Sequence, residues 1–355
     1  MRIVLLGLSI TSSWGNGHAT NYRALVRALS GRGHDVLFLE RDVPWYAAHR
    51  DLPRPPWGMT RLYGSLDELR GEHEAAVRHA DLVVVGSYVP DGVAVGEWVV
   101  ETASGLAAFY DIDTPVTLAK LARGDHEYLT PQLVRDYRLY LSFTGGPTLR
   151  RIERELGSPC ARAFHCLVDP DAYPVLDVAP RWDLGYLGTY SADRQPALER
   201  LLLEPARRDP ALRCVVAGPQ YPDAIDWPAN VERIEHLPPA EHAAFYAAQR
   251  FALNVTRADM LVAGWSPSVR LFEAAACAVP VISDPWEGLE TFFEPATEIV
   301  VAGDGADVRR ALAAIDQPRR RAIGRRARRR VLAEHTATHR AIELEDHVMA
   351  AVSHA

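Results

Sequence analysis

Predominantly apolar runs of strand length recur along this chain, separated by segments with helical spacing. In the first half they fall at residues 2–8, 35–40, 81–87, 106–112 and 139–143. In the second half they fall at 182–187, 212–217, 251–256, 280–284 and 298–302, with a shorter one at 231–237. A run without polar alternation predicts a strand buried on both faces, as in a parallel sheet. Between the first two runs, Tyr22, Leu25, Val26 and Leu29 share one face of a helix predicted over 21–30, which Gly31 and Gly33 stop. Strand, loop, helix, strand is a βαβ unit, and both halves repeat the plan. Helices are also predicted over 148–156 and 240–249. Residues 51–64 carry Pro53, Pro55, Pro56, Trp57 and Tyr63, which predicts an irregular loop and a candidate acceptor wall. The fold class is α/β: two Rossmann-like, doubly wound domains, one before and one after a proline-marked linker (Pro170, Pro174, Pro180). The domains are expected at 1–168 and 169–335.

The richest chemistry lies at 264–283, a polar loop, a helix and a closing strand. Ser266 or Ser268 can cap that helix, with Pro267 fixing the entry. A helix N-terminus offers free N–H groups and partial positive charge, and Arg270 adds a full charge in the first turn. This suits a phosphate or diphosphate. Glu273 lies three residues on, on nearly the same face, where a carboxylate suits the paired hydroxyls of a ribose. The other reading is a capped surface helix with an Arg–Glu pair.

At 355 residues, 48% hydrophobic and 24% charged, the chain has room for two ordinary domains. A net charge of −7 argues against a dedicated nucleic-acid binder. Cys160, Cys166, Cys214 and Cys277 show neither metal nor disulfide spacing, and a reducing cytoplasm is the expected compartment. The N-terminus opens on a strand, so no signal peptide is expected, and no apolar run reaches membrane-spanning length. Eight of the thirteen residues 318–330 are arginine, a run that suits an anionic membrane or a nucleic acid. With Ile323, Ala327 and Val331 inward, it also fits an ordinary amphipathic helix with a solvated face. The sequence carries no signal for oligomeric state.

The string Ser266-Pro267-Ser268-Val269-Arg270-Leu271-Phe272-Glu273-Ala274 resembles the nucleotide-sugar signature of GT-B fold glycosyltransferases. It is most similar to the CgeB-like, spore-maturation-type group, related to the retaining family-four enzymes. The sequence departs from the family-four pattern at Trp265, where that family has a second Glu, and at Ser268, where it has a small Gly. The resemblance implies two domains facing across a cleft, with a final helix, 336–355, packing back on the first. It implies that Ser266, Ser268, Val269 and Arg270 hold the donor diphosphate and that Glu273 holds the ribose. Gly17 then faces the donor from the first domain, and the turn at Gly188, Thr189 and Tyr190 abuts the phosphates with Arg194 beside it. Gly218 ends the next strand, and Gly288 and Leu289 meet the donor sugar or diphosphate. His18 and Asp113 are the candidate catalytic groups of the first domain, with Asp111 a second candidate for binding a hydroxyl; a turn-forming role is the alternative for both acids. The implied activity is a metal-independent, cofactor-free, retaining hexosyl transfer from a UDP- or dTDP-sugar to a small-molecule, glycan or protein acceptor. No nucleic-acid partner and no stable membrane insertion are implied. If the reaction inverts, His18 or Asp113 is the base. The alternative function is a non-catalytic nucleotide-sugar-binding protein, or a donor epimerase or hydrolase.

Overall fold

The computed structural model describes residues 1–353. The chain forms two compact units, Met1–Leu167 with the helix Ala337–Ser353, and Val168–Thr336.

The first unit is built on seven parallel strands. They are β1 (Arg2–Gly7), β2 (Asp35–Arg41), β3 (Met59–Tyr63), β4 (Leu82–Gly86), β5 (Leu106–Asp111), β6 (Leu139–Ser142) and β7 (Ala161–Ala163). Their order is β3-β2-β1-β4-β5-β6-β7. Ile3 and Leu5 enter one core while Val4 and Leu6 enter the other, which is why β1 shows no polar alternation. The expectation of an irregular loop over 51–64 is corrected by β3, which pairs with β2 in the register Leu37↔Met59. The prolines end at Pro56, before the strand. As an edge strand it needs only alternate burial, and Met59 stays half exposed while Tyr63 is buried. The helix expected over 21–30 starts earlier, as His18–Gly31, and makes His18 its first residue. Asn16 Oδ1 accepts the His18 N–H at 2.9 Å and sets that start. Ala337, Ala341, Leu344 and Val348 of the last helix complete the core around Tyr22 and Leu25. Glu345 holds it to Arg32 and His34, each at 2.7 Å.

The second unit has six parallel strands. They are β8 (Trp182–Leu187), β9 (Cys214–Ala217), β10 (Val231–Ile234), β11 (Gln249–Asn254), β12 (Val281–Ser283) and β13 (Val300–Val301). Their order is β10-β9-β8-β11-β12-β13. The helix expected over 240–249 is shorter, His242–Ala247, and Gln249 already belongs to β11. Its side chain explains the stop: it turns back to donate to Phe245 O at 3.0 Å and fills the space beside Gly185. The strand order reverses between β1 and β4 in one sheet and between β8 and β11 in the other. Doubly wound folds bind ligands at the carboxyl ends of such strands.

Candidate functional site

The helix Val269–Ala276 begins at the carboxyl end of the second sheet, and seven of its eight residues are buried. Neither serine caps it as expected. Ser268 is the capping position but accepts no backbone N–H, and Ser266 Oγ turns back to donate to Gly264 O at 3.0 Å. The N–H groups of Val269 and Arg270 therefore find no acceptor among the described residues. Arg270 does not pair with Glu273. Its side chain folds inward to 6% exposure and bridges the switch point itself. Nε donates to Leu187 O, at the end of β8, at 2.5 Å. Nη1 donates to Asn254 Oδ1, at the end of β11, at 3.0 Å, and to Ser268 Oγ at 3.3 Å. The guanidinium lies over the Tyr186 ring, 4.5 Å from its centroid. All of these partners are neutral, so a buried cation stands beside free helix N–H groups with no carboxylate to balance it.

Around it the backbone is closely fitted. A Cβ on Gly188 would come within 2.8 Å of both Tyr186 Oη and Arg270 Nη2. Gly218, at φ +141°, lies against the carbonyl of Gly188. Tyr190 N donates to Pro219 O at 3.0 Å, tying the two turns together. Arg194 stays at the first turn: Nη2 donates to Thr189 O at 3.2 Å, and its buried Nε has no partner among the described residues. Gly288, at φ +89°, faces the Trp265 ring, and Trp265 itself sits at φ +41° with its N–H on Glu287 O at 2.6 Å. Leu289 is buried, and its N–H already donates to Trp286 O at 3.3 Å. A non-glycine residue in that region is strained, a frequent mark of a ligand site. The sequence reading missed an aromatic wall beside these turns. Tyr221 stacks edge-on with Tyr190 and Trp227, both at 5.5 Å, and Arg233 lies over the Tyr221 and Trp227 rings at 4.2 and 4.5 Å. Clustered aromatics at 221 and 227 were the available signal.

Glu273 is held by protein. Tyr173 Oη donates to Oε1 at 2.6 Å and Tyr246 Oη to Oε2 at 2.8 Å, and its side chain is 5% exposed. Each oxygen keeps a second lone pair.

In the first unit, His18 and Asp113 come together through a residue the sequence reading passed over. Tyr88 Oη donates to Asp113 Oδ2 at 3.0 Å, and its ring lies 5.5 Å from that of His18. Tyr88 sits at φ +64°. Burial lowers the His18 pKa, opposed by the Asp113 charge, so the ring is neutral at neutral pH. Gly17 is exposed with open space around its Cα and an ordinary φ of −68°. The loop that carries it is pinned by buried Glu40, which accepts the N–H groups of Ile10 and Thr11 at 2.7 and 2.9 Å.

Asp111 takes the turn-forming alternative: it is fully buried. It accepts from Thr117 Oγ1 at 2.6 Å, from Tyr140 Oη and from the Asp113 N–H, and so sets the turn after β5. Burial raises its pKa to about 6 despite those hydrogen bonds. Between the unfolded value of 3.8 and about 6, the folded protein therefore holds a proton there that the unfolded chain has lost. Stability from this group is full below the unfolded value of 3.8 and is lost as pH rises to about 6. The Asp111→Asn variant is expected to gain about 2 kcal/mol relative to the parent between pH 4 and pH 7. Denaturant titrations at both pH values measure this, and parallel curves would refute it.

Residues 194–346 match the family model described as glycosyl transferase-like. No curated protein sequence matches the chain. Sucrose-phosphate synthase from Thermosynechococcus elongatus is similar in structure, with a TM-score of 0.73, 14% identity and 99% of each chain covered. Anabaena HepE in complex with UDP and glucose gives 0.70 and 12%, covering 98% of each chain. An alpha-glucosyltransferase in complex with UDP and a 13-mer DNA gives 0.72 and 12%, covering 98% of this chain and 99% of that one. These likenesses show the fold: two parallel-sheet α/β domains that match GT-B glycosyltransferases in structure over the full chain.

Proposed function

We propose that the protein transfers a hexose from a nucleoside-diphosphate sugar, with UDP or dTDP as the nucleotide, to an acceptor hydroxyl. The observation that carries this is the buried Arg270 guanidinium, held only by neutral groups beside unbonded helix N–H groups. A diphosphate supplies the missing negative charge. The two fold relatives solved with UDP support that nucleotide for the donor. The Ser266–Ala274 string supports the CgeB-like group and retention of configuration. The spacing of the four cysteines, which suits neither a metal site nor a disulfide framework, supports a cytoplasmic setting.

In the reaction the bond between the anomeric carbon and the diphosphate oxygen breaks, and the acceptor oxygen bonds to that carbon. Negative charge grows on the leaving diphosphate, where Arg270, Arg194 and the Val269 N–H stabilise it without a metal. Ser266, Ser268 and the turns at Gly188 and Gly218 shape this pocket, while Gly288 and Leu289 bound its sugar end. On the retaining route the leaving phosphate takes the acceptor proton. On an inverting route, neutral His18, oriented through Tyr88 and Asp113, takes it instead.

The test is incubation with UDP-, dTDP- and GDP-sugars, with and without an acceptor panel. Acceptor-dependent release of UDP or dTDP is expected. Equally fast formation of free sugar or an epimer without acceptor would make this a donor hydrolase or epimerase.

We assign the ribose hydroxyls to the free lone pairs of Glu273. Glu273→Gln keeps both tyrosine partners and is expected to raise the donor KM about tenfold with kcat little changed. Glu273→Ala orphans two buried hydroxyls and is expected to cost about 1–3 kcal/mol for each. A donor KM in the Gln variant equal to the parent's would confine Glu273 to the fold.

A further inference from the structure

The arginine-rich segment forms the helix Gln317–Glu334, with Ile323, Gly324, Ala327 and Val331 buried. Several of its arginines are committed to the protein. Arg328 donates to Ala276 O, Arg330 pairs with Glu298 and Glu334, and Arg321 lies 3.9 Å from Asp177. Arg325, Arg326 and Arg329 are exposed and meet no carboxylate among the described residues. Together with Arg328 they line a groove of about 500 Å³ whose other walls are Val175, Ala278 and Ala322. Beside it, Val175, Leu176 and Val178 are 53%, 39% and 47% exposed. Asp177, between them, is the acid on this strip and faces Arg321.

A merely solvated face needs no aliphatic side chains beside its charges. A nucleic acid would use the arginines but offers nothing to a valine–leucine–valine strip, and this patch contains no aromatic side chain for base stacking. Unpaired guanidinium groups flanking exposed aliphatic residues match the boundary of an anionic bilayer. There, cations meet lipid phosphates and short apolar side chains enter the headgroup region. Among the described residues no helix is long and apolar enough to cross a membrane, so the contact is peripheral. We propose that this face of the second unit docks on an anionic membrane surface.

The test is co-sedimentation of the full chain with phosphatidylcholine vesicles, with and without phosphatidylglycerol, at low and high salt. Salt-sensitive binding to the anionic vesicles alone is expected. The triple variant Arg325→Gln, Arg326→Gln, Arg329→Gln should lower the partition coefficient about a hundredfold. Leu176→Asp should weaken binding with every arginine in place. All four positions are exposed, so thermal unfolding of both variants should match the parent. Absence of vesicle binding, equal binding to neutral vesicles, or binding unchanged by the triple variant would overturn the proposal. So would tight binding of a single-stranded oligonucleotide that Leu176→Asp leaves intact, which would assign the face to nucleic acid.

Discussion

Arg270→Gln is expected to lower kcat/KM for the donor at least about a hundredfold, the scale of one lost charge-stabilising contact in a dry site. Two effects combine in that variant. The first is structural. A glutamine amide cannot reach Leu187 O, Asn254 Oδ1 and Ser268 Oγ together, and orphaning the buried Asn254 Oδ1 alone costs about 1–3 kcal/mol. The second is electrostatic, because the pocket loses the charge that opposes the leaving diphosphate. Comparing two ligands separates them. UDP affinity should fall steeply while uridine affinity changes little, because uridine carries no phosphate. Equal losses for both would mean that Arg270 only props the pocket open.

Gly218→Ala is expected to destabilise the second unit strongly. At φ +141° an L side chain is strained, and its Cβ would overlap the Gly188 carbonyl, which is backbone and cannot rotate away. Relief requires prising apart the two turns joined by Tyr190 N and Pro219 O. A cost above about 3 kcal/mol follows, or a drop of about 10 °C in Tm for a unit of this size. Gly17→Ala is the control. Its position has open space and an ordinary φ of −68°, so Tm should not move. A Gly218→Ala protein as stable as the parent would show that the turns are free to separate.

What the sequence made legible was whatever one residue's neighbours along the chain determine. The strands buried on both faces, β1 and β4 among them, announce themselves as apolar runs because two cores claim alternate side chains. The edge strand β3 was hidden because one side has no partner, so it keeps Thr60 and Arg61 and looks like loop. The helix at 269–276 was visible from its loop and apolar spacing, but its side-chain geometry was not. That Arg270 turns in to β8 and β11 depends on Leu187 and Asn254, which lie 83 and 16 residues away in the chain. The tyrosines on Glu273 are 100 and 27 residues distant. Tyr88, at left-handed φ, and Glu40, beneath the first loop, escaped for the same reason: a polar residue at a strand end gives no sign of what it will face.

A diphosphate is expected at the start of the helix Val269–Ala276. A crystal structure of the protein grown with UDP tests this directly. The phosphates should lie within hydrogen-bonding distance of the Val269 N–H and the Arg270 guanidinium, with the ribose toward Glu273. UDP bound elsewhere, or Arg270 still enclosed by its neutral partners with nothing at its open side, would contradict the account.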